Sequence, residues 1–149
     1  LTCTMRLSVF FLTLISVLNI YSVVQPAQKN IAYLHPVEKI LLITLDDVGT
    51  ITVNRDQVSS EILSSYIQER LFKSYLGTGE MHSRIKLEKL NKNVPEILTQ
   101  TIIKEIKDGQ KKALISVCVQ KYKKTFDTLE KKKQDKMIKQ FPVLFQNEF

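Results

Sequence analysis

Ile40–Leu71, ILLITLDDVGTITVNRDQVSSEILSSYIQERL, sets the order of the first elements. Ile40–Leu45 is a short run rich in β-branched and other apolar residues, followed by turn residues, which predicts a buried strand. Asp46-Asp47-Val48-Gly49 is the turn, with Gly49 free to take a positive φ. Thr50–Val53 alternates polar and apolar residues, as the returning arm of a hairpin does. Asn54-Arg55-Asp56 turns the chain again before Val58. Ser59 or Ser60 then caps a helix, and Glu61 complements the dipole in its first turn. Ile62, Leu63, Tyr66, Ile67 and Leu71 recur at helical spacing and make one apolar face.

Downstream, this helix is expected to end near Tyr75, where Gly77-Thr78-Gly79 breaks it. Arg84-Ile85-Lys86-Leu87 alternates but is too brief to count as a strand by itself. Asn93 and Pro95 open a second helix with Ile97, Leu98, Thr101, Ile102 and Ile106 on its inner side, and Gly109 closes it. Ala113–Val119, ALISVCV, is nearly all apolar and reads as a central strand buried on both faces. Tyr122, Phe126, Leu129 and Met137 mark a narrow stripe along a lysine-rich helix. Val143-Leu144-Phe145 reads as a last strand, which Pro142 restricts to a strand start or an edge. The predicted class is α+β: an N-terminal transmembrane helix, then a small β-β-α-(α)-β-α-β domain.

Upstream, Leu7–Val24, LSVFFLTLISVLNIYSVV, is eighteen residues without a charge. As a helix it would reach about 27 Å, close to the roughly 30 Å of a bilayer core. Met5-Arg6 before an apolar run also begins a signal peptide, but this run exceeds the usual signal core. The exit, Tyr21–Ala27, lacks small residues at both the last and third-last positions of a cleavage site. An uncleaved anchor is the expectation, with Thr13, Ser16, Asn19 and Ser22 tolerated where they face a protein partner. The predicted division is 1–28 for the tail and anchor, 29–39 for a Pro-containing linker, and 40–149 for an exported domain. Flanking charge does not fix the orientation, since Arg6 stands alone before the run while Lys29 and Lys39 follow it; export is expected because long domains translocate largely regardless of charge.

The 149 residues carry a net charge of +7, with 25% charged and 44% apolar residues, a globular composition. Cys3 and Cys118 fall on opposite sides of the expected anchor, so no disulfide between them is predicted, and Cys118 reads as a small buried hydrophobe. Asp46 and Asp47 suggest turn formation rather than paired acid–base chemistry, because neighbours on a turn diverge. His35 and His82 have no Cys or His at ligand spacing, so no metal site is predicted. Gly77-Thr78-Gly79 lacks the further residues of a dinucleotide or phosphate loop. The run Lys121–Lys139 holds eight lysines against Asp127, Glu130 and Asp135. Lysines attract phosphates of lipid or nucleic acid, yet with no arginine and few aromatics this run reads as a solvated helix face. No catalytic, cofactor-binding or metal-binding residue is assigned, and no enzyme is predicted.

Ile43–Leu71 resembles the opening of the periplasmic domain of the ExbD/TolR family of biopolymer-transport proteins. The shared features are an apolar strand (Leu42–Leu45), an acidic–glycine turn (Asp46–Gly49), an Ile-x-x-Asn strand (Ile51–Asn54), and Val58-Ser59 opening a helix. Ala113–Phe145 is similar to the family's closing strand–helix–strand, with Tyr122 opening the helix. The 76–112 segment is longer than in the family. The resemblance implies a non-enzymatic, single-pass inner-membrane subunit without cofactors, serving a proton-motive-force complex that supports transport across the outer membrane. It implies as partners an ExbB/TolQ-like multispan motor subunit, a TonB/TolA-like periplasm-spanning protein, and a second copy or an acidic-span paralogue. The family's span carries a proton-relaying aspartate; here no acidic residue precedes Glu38, and Asn19 is the most polar span residue. Two further readings stand beside it: a secreted or periplasmic α/β binding module with a cleaved signal peptide, and an anchored protein whose basic helix binds anionic lipid or cell-wall polymer.

Overall fold

In the computed structural model, residues 40–149 are described. The span and linker expected within 1–39, with Cys3, Asn19 and His35, lie outside the described residues. Among the described residues no helix is long and apolar enough to cross a membrane.

Strand β1, Ile40–Leu45, buries Leu41, Ile43 and Leu45 on one face, following its two-residue period. It pairs antiparallel with β2, Ile51–Val53, placing Ile43 opposite Val53 and Leu45 opposite Ile51. Asn54 ends this arm with φ 56°. Its N–H donates to the Leu42 carbonyl at 2.7 Å, and its side-chain oxygen accepts from the Leu42 N–H at 2.9 Å. Asn tolerates the left-handed region, so the chain reverses at once into β3, Asp56–Val58, antiparallel to β2. Residues 54–56, expected only as a turn, thus carry the chain into a third, mostly polar strand.

Helix α1, Ser60–Thr78, follows, with Ser59 extended at its N-cap and Gly79 at φ 76° closing it on the Tyr75 carbonyl. The chain then enters β4, Arg84–Lys89, which pairs parallel with β1 on its free side. The sheet order is β3-β2-β1-β4, so α1 carries the chain from one edge to the other. Helix α2, Glu96–Tyr122, packs beside α1. Lys112 Nζ donates to Ser64 Oγ at 2.6 Å and Gln68 Nε2 to Ser116 Oγ at 3.1 Å, so the two helices advance in parallel. A 3-10 turn, Phe126–Thr128, leads to α3, Lys131–Gln140, and a second 3-10 turn, Pro142–Phe145, ends the fold.

The class is α+β, as expected, but the second half departs from the expected order. Ala113–Val119 is not a central strand; it is the continuation of α2. Ala113, Val117 and Cys118 are buried while Ile115 and Val119 are 44% and 46% exposed, which is helical and not alternating. Gly109 does not end the helix either. It lies inside α2 where α1 crosses so closely that an added Cβ would stand 2.8 Å from both Ile67 Cβ and the Ser64 carbonyl. The lysine-rich helix is confined to α3, with Tyr122 ending α2 and Phe126 in the 3-10 turn. Val143-Leu144-Phe145 forms a 3-10 turn after Pro142 instead of a strand. Arg84–Lys89, by contrast, is a full strand, because β1 supplies the partner that so short an alternation needs.

One core holds these pieces together. Leu41, Ile43, Leu45, Ile51, Val53 and Ile85 from the sheet meet Leu63, Ile67 and Leu71 of α1 and Ile102, Ile106 and Val117 of α2. The C-terminal segment is fastened by Met137, Phe141, Val143 and Leu144, all buried, at about 1.5–3 kcal/mol for each large side chain removed from water. Phe141 meets Tyr75 edge-on at 5.5 Å. Gln146 finishes the β4 edge with its side chain: Ile85 N–H donates to Oε1 at 2.9 Å and Nε2 donates to the Ile85 carbonyl at 2.7 Å. The buried Gln110 in turn donates to the Val143 carbonyl at 2.6 Å, holding the segment that presents Gln146.

Candidate functional site

Some polar groups of this domain build turns, and others face solvent in a cleft. Asp46 is of the first kind. Its Oδ1 accepts from the N–H of Val48 at 3.1 Å and of Thr50 at 2.6 Å, which closes the β1–β2 turn. Partial desolvation pushes the carboxyl up, but the bonds from Thr50, Val48 and Gly49 outweigh it and hold Asp46 below its ordinary value. The turn reading therefore accounts for Asp46, and Asp47 is exposed beside it.

The sign of the resulting pH dependence follows directly. A carboxyl with a folded-state pKa below its unfolded one contributes stability above the unfolded value, about 4, and loses it as pH falls through the folded value. Asp46→Asn keeps an oxygen acceptor but removes the titration. Its urea midpoint should accordingly fall less than that of the parent chain between pH 6 and pH 3, about the limits of this window. Parallel declines in the two proteins would show that Asp46 carries no such share.

Tyr66, Arg70 and Asp56 tie α1 to β3. Tyr66 Oη donates to Asp56 Oδ2 at 2.5 Å, and Arg70 reaches both the tyrosine and the aspartate. The Tyr66 bond, then Arg70, hold Asp56 below its usual range against slight desolvation. Asp56 and Arg70 are exposed, Tyr66 is half-buried, and the three are mutually satisfied, so the cluster reads as a brace. His82 is buried in the loop before β4, and among the described residues no group of acidic, His and Cys side chains is placed to hold a metal. Burial, followed by Asp127, pushes the Cys118 thiol up, in keeping with a small apolar role.

A cleft of about 620 Å³ opens between the last turn of α2 and α3, lined by Lys121, Lys132, Asp135, Lys136, Lys139 and Gln140. On α3, Lys132, Lys136 and Lys139 follow the i, i+4, i+7 spacing that puts side chains on one face. Lys121 comes from α2, and its ammonium donates to Gln140 Oε1 at 2.7 Å. It also lies 5.5 Å from the Phe141 ring centre and 5.6 Å from that of Tyr122. Burial, then the neighbouring Lys136 charge, lower the Lys121 pKa. The cleft's carboxylate, Asp135, is paired at 3.1 Å with Lys131. Lys133 pairs with Glu130, whereas among the described residues Lys132, Lys136 and Lys139 meet no carboxylate at ion-pair distance.

Sequence reasoning took these lysines for one solvated face. It missed that α2 extends to Tyr122, which brings Lys121 against α3. The i, i+4, i+7 spacing was visible; the fourth lysine was not. Comparison of the chain with models of known protein families, with curated proteins and with solved structures finds no match.

Proposed function

We propose that this chain is a non-enzymatic, single-pass inner-membrane subunit of a proton-motive-force complex supporting transport across the outer membrane, of the ExbD/TolR kind. The observation that carries the reading is that the resembling stretch is one structural piece. Its acidic–glycine turn closes the β1–β2 hairpin through Asp46, its Asn54 terminates the ladder on Leu42, and Val58-Ser59 opens α1. The uncharged Leu7–Val24 run supports the same reading by its length. The second resembling stretch lends no weight, since Ala113–Val119 is helical. In this reading an ExbB/TolQ-like subunit is the membrane partner, and a TonB/TolA-like protein receives the transmitted energy. Leu7–Val24 has hydroxyls and one amide but no group that changes charge at accessible pH, so the titratable step is assigned to a partner subunit or an acidic-span paralogue.

The test is co-expression of the full-length chain with a multispan motor subunit from the same genome. The expected result is co-purification in detergent, with an intact mass that includes Leu7–Val24. A mature N-terminus between Ser22 and Lys29 would replace this reading with that of a secreted or periplasmic binding module.

A further inference from the structure

The lysine cleft is not explained by the turn, the core or the proposed transport role. Helix faces rich in lysine are ordinarily solvated and paired with nearby acids, as Lys131 and Lys133 are here. The cleft differs in three ways. Four ammonium groups from two separate helices converge on one concave surface. Its single lining carboxylate is engaged with a lysine outside the lining set. One cation, Lys121, is half-buried, bonded to Gln140 and set beside two aromatic rings, with the Lys136 charge close by.

We infer that the α2–α3 cleft binds the phosphate headgroups of anionic phospholipid, with Lys121, Lys132, Lys136 and Lys139 as the cationic contacts. A compact ammonium suits a phosphate as a point charge, and Gln140 adds amide donors. A membrane fits better than a nucleic acid because the cluster contains no arginine for bidentate phosphate contacts, and the Phe141 ring at its base is buried and already packed on Tyr75. It fits better than a small soluble anion because the exposed Lys123 and Lys124, just past Lys121, add charge beyond the cleft, which a sheet of many phosphates can use. The inference stands apart from the transport reading and requires no particular fate of Leu7–Val24.

The experiment assembles the full-length chain with nanodiscs of phosphatidylcholine alone or mixed with phosphatidylglycerol, and follows lysine acylation residue by residue by mass spectrometry. Phosphatidylglycerol should slow labelling of Lys121 about fivefold while leaving Lys104, Lys107 and Lys111 of α2 unchanged. Chain that remains outside phosphatidylcholine discs should still be captured by the anionic ones. The triple variant K132Q/K136Q/K139Q should abolish Lys121 protection; K104Q/K107Q/K111Q, with the same loss of charge, should keep it. Equal labelling in both lipids overturns the inference, as does protection lost equally in both triple variants. Protection by inorganic phosphate or by a single-stranded oligonucleotide, with none from phosphatidylglycerol, also overturns it and names the other source.

Discussion

Val117→Asp should abolish cooperative thermal unfolding, whereas Val119→Asp, two residues further on, should leave it nearly unchanged. Val117 is fully buried in α2, and Val119 is 46% exposed. An ionised carboxylate at position 117 would have no partner in an apolar surround, and a cost of several kcal/mol is a large part of the roughly 5–15 kcal/mol that stabilises a small domain. At position 119 the carboxylate points towards water, where substitutions usually cost within about 0.5 kcal/mol. The pair also distinguishes helix from strand. Residues two apart share a face of a strand but lie about 200° apart on a helix, so equal damage at both positions would refute the helical assignment of Ala113–Val119. Circular dichroism melts of the two variants decide it.

Gly109→Leu should lower the stability of the domain by about 3 kcal/mol or more, the upper end of the overpacking range. Two effects oppose each other at this position. Any side chain but proline improves on glycine's helix propensity, by about 1 kcal/mol for alanine. Against this, even a Cβ would come within 2.8 Å of Ile67 Cβ and of the Ser64 carbonyl, and backbone oxygen cannot step aside without moving α1. Overpacking therefore wins, and Gly109→Ala should already be neutral to destabilising. Gly77, near the end of α1 with nothing within 4 Å of an added Cβ, provides the opposite case. Gly77→Ala should stabilise by about 0.5 kcal/mol through lost unfolded-state entropy. Chemical denaturation of the three variants checks this; a Gly109→Ala gain matching that of Gly77→Ala would mean the helices are not in close contact.

The first half of the domain was legible because each signal there is local. The Asp46–Gly49 turn, the alternation of Thr50–Val53 and the 3.6-residue period of α1 need only their own neighbours. β3 escaped notice because it is three residues long and mostly polar, paired only through its backbone. Ala113–Val119 misled for another reason. Its exposed members, Ile115 and Val119, are as apolar as its buried ones, so the contrast that reveals a helical period is erased. The β-branched residues cost a helix at most about 0.7 kcal/mol each, less than burying Val117 returns. Gly109 looked like a helix stop because glycine's other use, close approach of two helices, depends on α1, which lies some forty residues away in sequence. The lysine cleft was hidden by the same error: with a strand at Ala113–Val119, Lys121 has no reason to meet Gln140. Whether an apolar run bends into a helix or a strand thus decided what the charges after it could do.

The parallel pairing of β1 with β4 has a consequence for synthesis. The β1–β2–β3 meander is complete once Val58 has left the ribosome, but the other edge of β1 waits for Arg84–Lys89, with all of α1 made in between. During that interval the ILLITL strand offers an unpaired ladder, the feature by which nascent chains pair with one another. Loop closure over that distance is slow relative to a hairpin. The vulnerable species is therefore the nascent chain that has passed Val58 but not yet released Lys89, and slowing elongation between these residues would lengthen its life.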